Sequence, residues 1–446
     1  MSTLKSPAPP GAPAPPPTGP RPPRSHPLRA ELLRGIGPWA GAAVALAAGL
    51  TLYEKADSTT DWQSRWSAGA ELLRIGSVQF GGPIVLAAGV WQGGRERRRG
   101  TLDLRTGAAR STLRQTLVAV APVVLWPVAA QLLGALAMVL AIRPYAGAGS
   151  PYGSVVVTDA VALASFGVVG FVIGRLVPWR PAPPLLGIAA WVALVGFQYN
   201  GGGGASVLTL LNPADQLDLY GRVPVRWSAP AALLWTGGVG GTVLLLYAAR
   251  RRALALVPLA AAVLGAAVLT GTGNGLWRDS PDLTRQVCAG KDPEICVEAQ
   301  NRRLLPDLTA ALSGMHGKLR GVPGAPDRWV ELPEEALMPG EAQLPPLGWE
   351  AFRGRLAEPE RYAYGSVTEL FGLCSTERPG WERAVDITQA VSDWLAPYTH
   401  RWYEPSPGTQ RHLDRLKAMT PAESRAYLTR LLASDRCQAP EAVPAP

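Results

Sequence analysis

The sequence is poor in charge. Asp, Glu, Lys and Arg make up 17% of its 446 residues, against about a quarter in globular proteins. A soluble enzyme spread over the whole length is excluded, although the length alone would accommodate two or three soluble domains. Cysteine is missing from residues 1–272; the chain's four, Cys288, Cys296, Cys374 and Cys437, all follow. No Gly-x-x-x-x-Gly-Lys-Ser/Thr phosphate loop occurs: Gly317-Lys318 runs into Leu319, and the glycines at 201–204 precede no lysine. The chain is therefore not its own nucleotide motor. His-Glu-x-x-His and Gly-x-Ser-x-Gly are absent too, and with them the motif signatures of zinc peptidases and serine hydrolases. His400 with Glu404 and His412 with Asp414 match no standard zinc spacing. His316, His400 and His412 read as surface residues, and no catalytic, metal-ligating or cofactor-binding residue is assigned.

What the chain does hold is apolar sequence, 47% of residues, concentrated between 36 and 272. A bilayer core roughly 30 Å thick takes about 20 mostly apolar residues in a helix, because lipid cannot satisfy peptide groups. Seven stretches qualify: 36–53, 75–92, 116–142, 155–177, 185–199, 229–249 and 253–273. The fifth is short. The last two are separated only by Arg250, Arg251 and Arg252, so a tight turn and one long continuous helix are both open.

Charge orients these spans. Residues 1–272 hold 23 Lys+Arg against 10 Asp+Glu, and residues 273–446 hold 20 against 24. No uniform basic field for nucleic acid exists. With the N-terminus in the cytoplasm, inner segments carry 17 Lys+Arg and outer loops six, the bias expected of cytoplasmic loops. Seven spans then place residues 274–446 outside. The cysteine distribution agrees, since an even count in an oxidising compartment implies two disulfides. Three pairings of Cys288, Cys296, Cys374 and Cys437 are possible.

Residues 1–28 contain eleven prolines and form an extended, unpacked cytoplasmic arm. The first apolar run starts late and is long, so it reads as a retained anchor and not a cleaved signal peptide. Trp39, Trp91, Trp179 and Trp227 near span ends read as interface anchors. Among polar groups in the spans, Gln79 and Gln131 either line a path or tie helices together. Asp159, about one turn inside the fourth span, is either functional or reaches the headgroups.

The segment between the second and third spans is the most informative. It runs Arg95-Glu96-Arg97-Arg98-Arg99-Gly100-Thr101-Leu102-Asp103-Leu104-Arg105. A basic loop on anionic lipid explains its arginines, but not the pattern of Glu96, Gly100-Thr101, Leu102 and Leu104. Here the sequence resembles the membrane subunits of ATP-binding-cassette transporters, in the type-2, exporter-like permease family. That family has a glutamate in a basic patch, then Gly-Thr and a leucine-bearing stretch. Ala109-Arg110-Ser111 stands where it usually has a proline and serine. The resemblance covers roughly residues 30–250. It implies that Arg95, Glu96, Arg97, Arg98, Arg99, Gly100, Thr101, Leu102 and Leu104 contact a separate cytoplasmic ABC ATPase. It further implies a homodimer or paired permease, and a short re-entrant helix near 207–211, where the residues themselves fit a plain apolar loop packed on its neighbours equally well. The family normally has six spans and no large outer tail, and this chain departs from it in both.

The tail of 173 residues (274–446) is long enough for one core and reads as mostly helical. Thr420-Pro421-Ala422-Glu423 is a capping box. It opens a helix to about Ser434 that buries Tyr427, Leu428, Leu431 and Leu432, with Cys437 beyond its end. Residues 308–319 and 386–396 also have helical spacing, and little strand alternation is visible.

The expected fold is thus an all-α polytopic membrane protein of six to seven transmembrane helices. A mostly helical, disulfide-bearing extracytoplasmic C-terminal domain follows. The expected function is the membrane-spanning subunit of an ATP-driven exporter in a bacterial plasma membrane. The alternative is a membrane-anchored outer binding or sensor protein without transport activity.

Overall fold

The computed structural model describes residues 27–54, 62–100, 111–177, 179–199, 206–215, 219–331, 337–347, 351–372, 374–378, 380–399 and 404–434. Pro27 and Leu28, read above as part of the extended arm, open α1 (Pro27–Arg34). Proline suits a first helical turn, where its missing N–H has no partner to lose.

Among the described residues, five helices are long and apolar enough to cross a membrane. They are α3 (Trp66–Gly93), α5 (Thr112–Ile142), α6 (Gly153–Leu176), α9 (Ser228–Ala248) and the helical stretch Arg252–Thr272, whose α-helical part is α10 (Leu256–Thr272). Two shorter apolar helices accompany them, α2 (Gly37–Glu54) and α7 (Ala182–Tyr199). Between α3 and α5 lies the one-turn basic helix α4 (Arg95–Arg98). α3 starts well before the expected 75, because a π-helical segment, Ile75–Phe80, joins its two α-helical parts. The chain breaks between α9 and α10: Ala249 is extended at φ −80° and ψ 141°. The tight turn is therefore the arrangement adopted.

Small residues set how closely these helices approach. A Cβ on Gly89 would lie 2.6 Å from the Gly167 carbonyl oxygen, and one on Gly93 or Gly174 would overlap the facing backbone outright. Gly89/Gly93 on α3 and Gly170/Gly174 on α6 are each four residues apart, the small-xxx-small spacing of close membrane helix pairs. α9 and α10 pack the same way, Gly238 against Pro258 and Gly265 against Ala231.

In the 207–211 stretch a single turn forms, α8 (Val207–Leu210), capped by the Ser206 side chain, which accepts from Thr209 N. The glycines at 201–204 lie outside the described residues. Strand β1 (Arg222–Pro224) precedes α9 and β2 (Trp277–Asp279) follows α10, and the two pair antiparallel. The tail therefore leaves the helical part beside the start of α9. Tyr152, just before α6, donates to the Arg222 carbonyl oxygen at 2.9 Å. The start of α6 belongs to this same end of the molecule.

The tail is not as helical as its sequence suggests. It contains a four-stranded sheet in the order β3 (Gln286–Ala289), β4 (Glu294–Glu298), β5 (Arg328–Val330), β6 (Glu341–Gln343). β3 and β4 form an antiparallel hairpin, and β5 and β6 join in parallel. In the hairpin Cys288 faces Cys296, and the two are disulfide-bonded. Cys374 is disulfide-bonded as well; Cys437 lies outside the described residues. α11 (Leu305–Leu319), α12 (Pro359–Phe371), α13 (Trp381–Leu395), α14 (Pro407–Ala418) and α15 (Pro421–Leu432) build the rest. Their core holds Ile295, Leu308, Leu312, Trp329, Tyr362, Ile387 and Leu428. α15 carries the expected capping box and buries Tyr427, Leu428 and Leu431; Leu432 is half-buried.

Candidate functional site

The coupling candidates begin where α3 ends. Gly93 lets α3 run against α6, and the chain then turns into α4. This close approach brings Glu96 to Arg175, in the last turn of α6. Arg175 Nη1 donates to Glu96 Oε2 at 2.6 Å and Nη2 to Oε1 at 2.8 Å. The pair is bidentate, the strongest geometry available to these two groups. The Arg175 side chain is 5% exposed and stacks over the Phe171 ring at 4.9 Å. Its Nε has no hydrogen-bond partner among the described residues.

Arg95 makes the second tie. Its Nη2 donates to both carboxylate oxygens of Glu31 on α1, at 2.7 and 2.8 Å. Arg98 folds back over the Trp91 ring at 4.4 Å and donates to the Trp91 carbonyl oxygen. Gln92 donates to the Ala119 carbonyl oxygen of α5 at 3.3 Å, and Trp126 of α5 donates to Leu32 of α1 at 3.0 Å. Gly100, at φ +63°, ends the turn in a conformation that favours glycine. Arg97 and Arg99 are exposed. Thr101, Leu102 and Leu104 lie outside the described residues.

Sequence reasoning missed both partners of this element. Glu31 is the only acidic residue before Glu54, a signal that was legible. Arg175 reads from the sequence only as one of the 17 Lys+Arg of the inner segments. An arginine inside an apolar run requires a counter-charge, and Glu96 is the only carboxylate between Glu71 and Asp103.

Of the other polar candidates, Asp159 does not reach outward. It is 1% exposed and accepts from Arg74 Nε on α3 at 2.8 Å. Gln131 is fully buried on α5, and neither amide atom bonds a described group. Gln79 sits half-buried in the π-helical segment. Trp39, Trp91 and Trp179 are exposed and Trp227 is half-buried.

The tail docks on the end of the helical part remote from α4. Tyr220 Oη donates to Glu331 Oε1 at 2.7 Å, and Asn301 donates to the same oxygen at 2.6 Å. Arg65, before α3, lies over the Tyr220 ring at 5.3 Å. Arg353 donates to Gln63 at 2.6 Å and Arg303 to the Ala146 carbonyl oxygen at 3.0 Å. Glu298 stands beside Glu331. Burial, then the Glu331 charge, pushes its carboxyl up to about 7; burial raises Glu331 and Tyr220 as well. A carboxyl held above its unfolded value binds its proton more tightly in the folded chain. The stability it lends is full below the ordinary value of 4.5 and is lost as pH rises through the folded value. The melting temperature of the full chain is expected to fall between about pH 5 and pH 7.5, and Glu298→Gln should flatten that slope. Circular dichroism melts across that range check it.

His316 is buried, contrary to the surface reading. Its Nε2 bonds Asp292 Oδ1 at 2.7 Å, and Arg320 pairs with the other Asp292 oxygen at 2.9 Å. These partners pull the Asp292 carboxyl down, His316 foremost. His412 is half-buried, and His400 lies outside the described residues. Cys288, Glu294 and Cys296 have ligand atoms within 4.8 Å of one another, but the two sulfurs are bonded to each other and are not thiolates. No family model matches the chain, and neither a curated protein nor a solved structure matches it.

Proposed function

We propose that this chain is the membrane-spanning subunit of an ATP-driven exporter of the type-2 ATP-binding-cassette permease class. In this reading the five long apolar helices, α2 and α7 make seven crossings of a bacterial plasma membrane. The N-terminus and α4 face the cytoplasm, and residues 274–446 face outward. Two copies, or one copy and a related permease, would pair and bind cytoplasmic ATPase subunits.

One observation carries the reading. α4 is fixed by an ion pair to α1 and a bidentate one to the last turn of α6, while the tail docks at the other end of α6. Its 24 residues span about 36 Å, enough to separate the two across a bilayer. A rigid grip of this kind lets the closure of a bound ATPase move α6 as a body. Arg97 and Arg99 remain exposed on the same element, free to meet an acidic surface on that partner.

The test is co-expression with the ATPase subunits of the same genome. The chain is expected to co-purify with one of them and to stimulate its ATP hydrolysis in nanodiscs. Arg97→Glu with Arg99→Glu should abolish stimulation without lowering the chain's yield or melting temperature. Full stimulation by that variant would refute the assignment.

A further inference from the structure

The disulfide of the tail hairpin has two unequal ends. β3 ends the four-stranded sheet, and β4 lies inside it, between β3 and β5. Cys288 and Cys296 face one another across the hairpin and are bonded, yet only one is accessible. Cys288 is exposed on the edge strand, and Cys296 is 0% exposed. Access is one of the controls on thiol–disulfide exchange, and here it favours attack at Cys288.

Such an attack expels Cys296, and Arg328 of β5 waits there. Its Nε donates to Cys296 Sγ at 3.1 Å, and its Nη2 donates to Cys288 Sγ at 3.5 Å. Arg328 is not a free charge. Glu294 Oε2 lies 3.1 Å from its Nε, and Glu341 Oε1 lies 3.0 Å from its Nη1. The two carboxylates balance the guanidinium and hold it over the sulfurs, so what it offers them is a directed N–H. That donor gains little from a neutral disulfide and more from a thiolate, where the bond is charge-assisted. It therefore favours the state in which Cys296 has left, and a stabilised thiolate leaves faster.

We propose that this hairpin is a thiol–disulfide exchange site for an external dithiol. A thiolate of the dithiol attacks Cys288 Sγ. A new S–S bond forms there, the Cys288–Cys296 bond breaks, and its electron pair goes to Cys296 Sγ beside Arg328 Nε. The second thiolate of the dithiol then displaces Cys288 Sγ. The dithiol departs as a disulfide, having passed two electrons and two protons to the two cysteines. The site lies in the tail and stands whether or not the chain is an exporter.

The full chain in detergent would be exposed to dithiothreitol for increasing times, quenched with excess N-ethylmaleimide and mapped by mass spectrometry. Cys374, buried and also disulfide-bonded, is the internal comparison. Cys288 and Cys296 should become alkylated at least about tenfold faster than Cys374, because access and leaving-group stabilisation act together. With the monothiol 2-mercaptoethanol, the trapped mixed disulfide should sit on Cys288. Arg328→Gln should slow the opening at least about threefold, and Arg328→Lys should recover part of the rate. A merely structural arginine gives the opposite sign, since a loosened hairpin opens faster. Earlier alkylation of Cys374, an adduct mainly on Cys296, or an Arg328→Gln rate equal to or above that of the wild type would each overturn the site. If Arg328→Gln does not fold, the two wild-type readouts decide alone.

Discussion

Gly93→Val is expected to deprive the chain of its folded state. A Cβ at that position would overlap the Phe171 carbonyl oxygen and lie 3.1 Å from the Arg175 amide nitrogen. Both obstacles are backbone, which cannot rotate away as a side chain can. Ordinary overpacking costs about 1–3 kcal/mol, and a clash with helical backbone should exceed the top of that range. Gly174→Val should do the same, because its Cβ would meet the Val90 backbone. Gly153, at the start of α6, has open space around it. Gly153→Ala should therefore leave the fold intact and serves as the control. Size-exclusion profiles and thermal melts in detergent report all three. A monodisperse Gly93→Val protein melting with the wild type would mean that α3 and α6 do not meet along their glycines.

Arg175→Gln should be nearly as damaging, for an electrostatic reason. It strips Glu96 of its bidentate partner. The reverse change, Glu96→Gln, leaves the more deeply buried arginine without a counter-charge. Breaking a buried pair from one side costs about 3–5 kcal/mol, a large part of the total stability of a domain. The double variant loses both charges together and leaves neither stranded. It should be more stable than the sum of the single effects allows, with a coupling energy of about 1–3 kcal/mol. Additive losses in a double-mutant cycle would show that the two groups act independently. Under the exporter reading all three variants also lose ATPase stimulation, because α4 is no longer fixed to α6.

These two predictions concern one joint, and the sequence revealed only half of it. Glu96 stood out because carboxylates are rare around it. Arg175 did not, because its partner is 79 residues away in the chain and the contact depends on glycines whose role emerges only when the helices are packed. Asp159 was similar. Its position in an apolar run was plain, but its pairing with Arg74 requires α3 to begin at Trp66, before the apolar stretch expected from 75. The helix passes through a charged residue there because Asp159 neutralises it.

Lipid-scale apolar runs were legible because length and composition define them, and the capping box of α15 was legible because it is local. The sheet in the tail was not. Its strands are three to five residues long, too short for a period of two to register. β4 reads Glu-Ile-Cys-Val-Glu, an unbroken buried centre that could equally belong to a helix. The parallel pairing of β4 with β5 joins residues far apart in the chain, Glu294 with Arg328. His316 was misread because its partner, Asp292, comes from outside its own helix.

The measurement that bears most directly on the proposed arrangement is thiol labelling in intact cells. Ser111→Cys stands at the α4 end of the molecule and Lys417→Cys on the tail, and both positions are exposed. A membrane-impermeant maleimide should label Lys417→Cys in intact cells and Ser111→Cys only after permeabilisation. Labelling of both positions from the same side of the membrane would contradict it.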